Sequence, residues 1–176
     1  MAGWDDATID WYAETHGEDA STRAVVDAAP FAMSDDVLDI GCGTGASLRY
    51  LAACGVTGRL AGVDPHARMV MHARRLSPDR IVFDIASAEA LPFAPSCFDG
   101  LLAVNSVAHW SDRTAAFAEA FRVLRPGGWI AAGGEVFEEL DGPLPIEDEL
   151  QSAGFTQIGS TGIRGGRVTT ARKGQS

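Results

Sequence analysis

Residues 37–45, V-L-D-I-G-C-G-T-G, constrain the fold more than any other stretch of the chain. Val37, Leu38 and Ile40 make a short apolar strand with an acid, Asp39, near its end, and Gly41, Gly43 and Gly45 follow at alternate positions. Glycine tolerates positive φ and has no Cβ, so the chain can turn sharply here and bring bare backbone against a ligand. The helix that must follow presents unpaired N–H groups at its N-terminus. In an open α/β sheet this strand end is where nucleotide-like ligands sit. Gly41-x-Gly43-x-x-Ala46 also satisfies the dinucleotide fingerprint G-x-G-x-x-G/A. Asp39 weighs against that reading, because a carboxylate there repels a pyrophosphate and suits a ligand with an ammonium group and no phosphate.

Short apolar runs alternate with helical stretches along the rest of the chain. Two helices, 5–15 and 19–29, precede the glycine loop, the second capped by Asp19 or Ser21. Strand one is 37–41, and a helix over 45–54 carries Leu48, Leu51 and Ala52 on one face and stops at Gly55. Strand two is 59–64, Pro65 opens a helix over 65–76, strand three is 80–85 and strand four is 98–104. The helix over 111–124 spaces Phe117, Ala120, Phe121 and Leu124 at i, i+3, i+4 and i+7, and Pro126-Gly127-Gly128 ends it and turns into strand five, 129–133. A short helix over 145–153 ends at Gly154, and the β-rich runs 155–162 and 166–172 pair through a hairpin at Gly165-Gly166. The pattern predicts an α/β fold, a doubly wound Rossmann-like sheet of seven strands. The sheet is mostly parallel, a C-terminal hairpin adds one antiparallel strand, and helices cover both faces. One domain is expected to fill residues 1–176, with N-terminal helices in 1–30, a core in 37–133 and the closing hairpin in 155–172.

Composition narrows the function classes. A chain of 176 residues with 46% hydrophobic and 22% charged residues is long enough for one domain with a real core. No apolar run reaches the length of a membrane span, and the acidic N-terminus does not read as a secretory signal, so a cytoplasmic protein is expected. The net charge of −10 disfavours a nucleic-acid partner. Seven of the fifteen residues in 135–149 are Asp or Glu, which fits a solvated loop and helix face or, more sharply, an attraction for a cationic acceptor. Cys42, Cys54 and Cys97 follow no metal-ligand spacing and are expected to be reduced thiols; no metal is expected.

Several segments carry candidate chemistry. Asp64 closes strand two, where an acid accepts hydrogen bonds from a ribose diol; the plainer role is an N-cap ahead of the helix at Pro65. Ser87-Ala88-Glu89-Ala90-Leu91-Pro92-Phe93 follows strand three, and Ser87 and Glu89 also fit a local turn or cap. Phe98-Asp99-Gly100 opens strand four, and Leu124-Arg125-Pro126-Gly127-Gly128 precedes strand five. In this order and spacing the segments resemble the motifs of class I S-adenosylmethionine (SAM)-dependent methyltransferases of the small-molecule type, close to the ubiquinone and menaquinone biosynthesis methyltransferases. The match covers roughly 37–133.

The resemblance implies a cofactor site. Asp39 would face the methionyl ammonium. The backbone of Gly41, Cys42 and Gly43 would pass beneath the cofactor, and Asp64 with Pro65 would hold the ribose. Ser87, Ala88 and Glu89 would line the adenine, with Ser87 standing where the family often has Asp. Asn105 opens the loop Asn105-Ser106-Val107-Ala108-His109-Trp110, which the family places beside the methyl group and acceptor. His109 is the candidate general base, or else a histidine bonded to backbone beside Trp110; Ala108 replaces the first His of the common H-H-W pattern. Tyr12, with Trp11, sits on a first helix that the family folds over the cofactor, although plain helix packing explains it equally. His16, His66 and His72 read as surface residues.

The implied reaction is in-line methyl transfer to a small organic acceptor, leaving S-adenosylhomocysteine (SAH). The chain lacks the insertions that shape acceptor pockets, so the site is expected to be open, or completed by a second subunit or partner. Two other readings stay open: a SAM- or SAH-binding module without catalysis, acting as partner or regulator, and a nicotinamide-dependent oxidoreductase, which Asp39 and the later motifs disfavour.

Overall fold

Strand β1 (Val37–Ile40) is buried along its whole length, so its side chains supply two opposite cores at once. The computed structural model describes residues 5–15, 20–135, 146–163 and 165–175. Around β1 lie β2 (Leu60–Asp64), β3 (Ile81–Ile85), β4 (Phe98–Val104), β5 (Leu124–Glu135), β6 (Thr156–Ile163) and β7 (Gly166–Arg172). The sheet order is β3-β2-β1-β4-β5-β7-β6. Strands β1 to β5 are mutually parallel, while β7 runs antiparallel to both β5 and β6. The seven-stranded sheet with one reversed strand is the expected architecture, and strand order reverses direction between β1 and β4.

Pleat alternation divides the core. Leu38, Ile40, Leu101 and Ile130 face one cluster, filled from α5 (Arg113–Val123) and α6 (Ile146–Ser152) by Phe117 and Leu150. Val37, Leu102 and Trp129 face the other, filled from α2 (Ala20–Ala28), α3 (Ala46–Ala53) and α4 (Ala67–Leu76) by Val26, Leu48 and Val70. Helix α1 (Asp6–Thr15) buries only Ile9 and docks on α4 through ions: Asp10 accepts from Arg68 Nε at 2.6 Å and lies 2.8 Å from His72 Nε2. His72 is therefore buried rather than a surface residue, because it faces α1 from the inner side of α4. Edge strand β3 leaves Val82 and Ile85 exposed. Among the described residues no helix is long and apolar enough to cross a membrane.

Three local expectations are corrected. Pro65 is not the first residue of its helix: α4 starts at Ala67 with His66 as the extended N-cap residue. The cause is Asp64, whose Oδ1 accepts from His66 N–H at 2.9 Å and holds Pro65 and His66 in a turn ahead of the helix, so Asp64 is not the cap either. Helix α5 ends at Val123, before the Pro-Gly-Gly, since a proline disfavours helical backbone at the residue before it. Leu124 already pairs with Phe98, and the register then jumps to Gly100↔Trp129, leaving Arg125–Gly128 as a bulge within β5. Ser21 lies inside α2 rather than at its cap, and the alternative, Asp19, is outside the described residues.

The F-D-G and L-R-P-G-G segments meet at the N-terminal end of β4. Arg125 bridges Asp99 at 2.5 Å and Asp36 at 3.0 Å, and Gly100 leaves space for the indole of Trp129, which a Cβ would approach to 2.1 Å. Arg125→Ala is expected to lower stability by about 1 kcal/mol, since the pairs are partly exposed. A urea midpoint shift, with ligand binding unchanged, is the check.

Candidate functional site

The candidate residues converge at the C-terminal ends of β1 to β4, at the crevice where the strand order reverses. Gly41 leaves β1 with φ +74°, and its N–H and that of Cys42 both bond the Val63 carbonyl, at 2.8 and 2.9 Å. The Gly45 N–H closes the turn onto the Cys42 carbonyl at 2.8 Å, and α3 begins at once behind Gly45, with no side chain capping it. Gly41 is forced by contact as well as dihedral angle: a Cβ there would lie 2.5 Å from Ser106 Cβ, and Ser106 is fixed by its Oγ bond to the Ile40 carbonyl at 2.7 Å. Gly43 is different, since a Cβ would meet nothing within 4 Å. It marks the open side of the loop.

Two acids back this loop. Asp64 is buried, and its Oδ2 accepts from the Gly43 N–H at 3.0 Å. With His66 N–H on Oδ1, backbone donors use half of its four lone-pair positions, and of the other two the one on Oδ1 borders the His66 ring. His66, expected at the surface, is half-buried with Nδ1 3.3 Å from Asp64 Oδ1. Asp39 is 1% exposed and its Oδ1 has no hydrogen-bond partner. Burial pushes its carboxyl up to about 7, opposed by the Ser47 hydroxyl and reinforced by the charge of Asp64. The same burial and acids push the Cys42 thiol up, so it is an inert space-filler against Gly62.

The other candidates form the rim. The Ala86 N–H bonds the Asp64 carbonyl at 3.2 Å, tying the segment after β3 to the end of β2. Ala88 is buried and Ser87 half-buried. Glu89 serves the fold: its Oε1 accepts from the Ser111 and Asp112 N–H groups at 2.8 and 3.1 Å, strapping this loop to the start of α5. Burial raises its carboxyl pKa, but those donors and Ser87 outweigh it and the net shift is downward. Asn105 has a left-handed φ of 52° and donates through Nδ2 to Ser21 Oγ at 3.2 Å. His109 ends a single 3₁₀ turn, Val107–His109, is exposed, and donates its N–H to the Ser106 carbonyl at 2.9 Å. Beside it, Trp110 stacks edge-on against Phe117 with a buried indole N–H that has no partner. Tyr12 is half-buried on α1, which the Asp10 contacts fasten to α4, the helix that follows Asp64.

The structure thus brings Asp39, Gly41, Cys42, Gly43 and Asp64 into one cluster and assigns Glu89 a bracing role. Sequence reasoning missed Ser47 and Ser106, which secure Asp39 and Gly41. Nothing local marks them, since both are small polar residues whose importance comes from packing against another element.

The family model described as a methyltransferase domain matches residues 38–132, more than half of the chain. The O-methyltransferase cnsE of Penicillium expansum is 30% identical over 92% of this chain and 66% of that protein. The O-methyltransferase rstn1 of Aspergillus nomiae is 30% identical over 92% of this chain and 81% of that protein. Across three curated relatives the chain spans 46% to 66% of their length. Among solved structures, a chain from the complex between the Haloferax volcanii Trm112 methyltransferase activator and a methyltransferase shares the fold. Its TM-score is 0.82 and its identity 19%, over 96% of this chain and 95% of that one. On the extent of these matches the chain belongs to the methyltransferase domain family, of the class I SAM-dependent type that its motifs resemble.

Proposed function

We propose that the protein transfers a methyl group from SAM to a hydroxyl oxygen of a small organic molecule. The observation that carries this reading is the glycine loop with two buried acids behind it, one of them, Asp39, holding an unpartnered oxygen. That set fits this cofactor: a buried carboxyl group with one oxygen lacking a donor suits an ammonium group. The open face of Gly43 leaves room for a ligand, and Asp64 has acceptor capacity left for a ribose diol. SAM supplies an activated methyl whose sulfonium is its own leaving group.

The protein's part is to bind and orient. Asp39 would take the ammonium, Asp64 the ribose hydroxyls, and Ser87 with Ala88 the adenine edge. Asn105 and the turn it starts border the acceptor side. The oxygen acceptor is supported by the names of the relatives, which are O-methyltransferases. A hydroxyl must lose a proton as it is methylated, and His109, exposed at the end of its turn, is the group proposed to take it. The acceptor side is proposed to be open or completed by a second chain; the Haloferax relative, found with an activator protein, supports that possibility by example.

Titration with SAH tests the site: micromolar binding is expected, and NADH binding more tightly than SAH would overturn the reading. Labelled SAM offered with a panel of hydroxylated small molecules tests the reaction. His109→Ala is expected to lower kcat about 10²-fold or more with SAH affinity unchanged. Equal loss of both would make His109 a structural residue.

A further inference from the structure

We propose that Asp39 carries a proton in the ligand-free protein and releases it to solvent when the cationic amino-acid end of the cofactor binds. This inference rests on the reading of the cofactor site given above. Its basis is the surroundings of Asp39. The carboxyl is 1% exposed, on the face of β1 covered by α2 and α3, and one oxygen has no partner at all. An ionised carboxylate in such a place needs a counter-charge.

Among the described residues, none of the packed elements supplies one. From β2 the titratable neighbour is Asp64, itself an acid; from the loop it is the Cys42 thiol, which stays neutral. From α3, Ser47 offers only a neutral hydroxyl, and Arg49 is turned to the Thr44 carbonyl. From α2, Arg23 lies over the Tyr50 ring at 5.6 Å and Asp27 accepts from Tyr50 Oη at 2.9 Å. The β4 end contributes Ser106, which is bonded to the Ile40 carbonyl. Burial without a cation pushes the Asp39 carboxyl up to about 7. An ammonium docked against it reverses the balance and favours the carboxylate. In the exchange the O–H of Asp39 breaks, its proton leaves to the buffer, and the free oxygen accepts from the ammonium N–H.

The sign follows from linkage. Below neutrality the free protein must give up the proton to bind, so affinity falls as pH falls. SAH is expected to bind about tenfold more tightly at pH 7 than at pH 5.5. The gain flattens toward pH 8, where the Asp39 carboxyl is already ionised in the free protein and has no proton left to release.

The experiment is calorimetric titration of the whole protein with SAH at pH 6, in two buffers of different ionisation enthalpy, which counts protons released. Close to one proton is expected. 5′-Methylthioadenosine keeps the nucleoside and lacks the amino-acid end, so it is expected to bind with no proton released. Asp39→Asn, which mimics the protonated form, is expected to fold normally and bind SAH without proton release or pH dependence. SAH binding with no proton released and equal affinity at pH 5.5 and 7 overturns this inference and leaves the cofactor site standing. Failure of both ligands to bind at any pH overturns the cofactor reading together with it.

Discussion

Replacing Asp64 by alanine is expected to weaken SAH binding by more than tenfold and to lower stability as well. The binding loss comes from the two lone-pair positions on the carboxylate that backbone donors do not use. Hydrogen bonds to a charged acceptor are worth about 1.5–3 kcal/mol each, and 1.4 kcal/mol is a factor of ten in affinity. The stability loss comes from the other two positions. Asp64 satisfies the backbone N–H groups of Gly43 and His66, at 3.0 and 2.9 Å, and alanine leaves both without their partner, at a cost of about 1–3 kcal/mol for each that stays buried. Asp64→Asn separates the effects. Its amide oxygen can keep one of the two backbone donors, so the melting temperature should recover part of the loss, while the missing charge and second acceptor should still weaken SAH binding. Unchanged SAH affinity in both variants would refute the ribose role.

Two of the three loop glycines, Gly41 and Gly43, should respond differently to alanine. Gly41→Ala is expected to cost about 2–4 kcal/mol of stability. Its φ of +74° is strained for any residue with a Cβ, and that Cβ would lie 2.5 Å from the fixed Ser106 Cβ. Gly43→Ala carries the dihedral strain alone, about 1–2 kcal/mol, because its Cβ enters open space. The same open space is where the ligand is proposed to pass. Gly43→Ala should therefore remain folded and lose SAH affinity more than tenfold, whereas Gly41→Ala should unfold at markedly lower denaturant. Thermal melts and SAH titrations on both variants read the two effects apart. Wild-type affinity in Gly43→Ala would mean that the ligand does not run along this face of the loop.

Much of this was legible in the residues themselves. Strands β1 to β5 were marked by apolar runs, and β6 and β7 by β-rich runs around the hairpin signal Gly165-Gly166. Boundaries shifted where a side chain competed with the helix. Asp64 captured the His66 N–H and delayed α4 to Ala67, and Pro126 pushed the end of α5 back to Val123. His72 was misjudged for a related reason, while His16 lies outside the described residues. Whether His72 is buried depends on α1 crossing α4, and no local pattern in 66–76 records that crossing. Glu89 reads as a polar loop residue, but only folding shows that it is spent on the N–H groups of Ser111 and Asp112, more than twenty residues on.

The sequence by itself determined the sheet, its strand end with three glycines, and the presence of acids at the ends of β1 and β2. These are local properties: hydrophobic period, turn chemistry and spacing act between near neighbours. What only the tertiary structure decided is the state of those acids. Asp39 and Asp64 are twenty-five residues apart in the chain, and packing sets them behind one loop, one holding a backbone donor on each oxygen with acceptor capacity left over and the other left with a bare oxygen. Burial and the absence of a counter-charge are sums over elements distant in sequence, and they decide which carboxylate is ready for ribose and which waits for a cation.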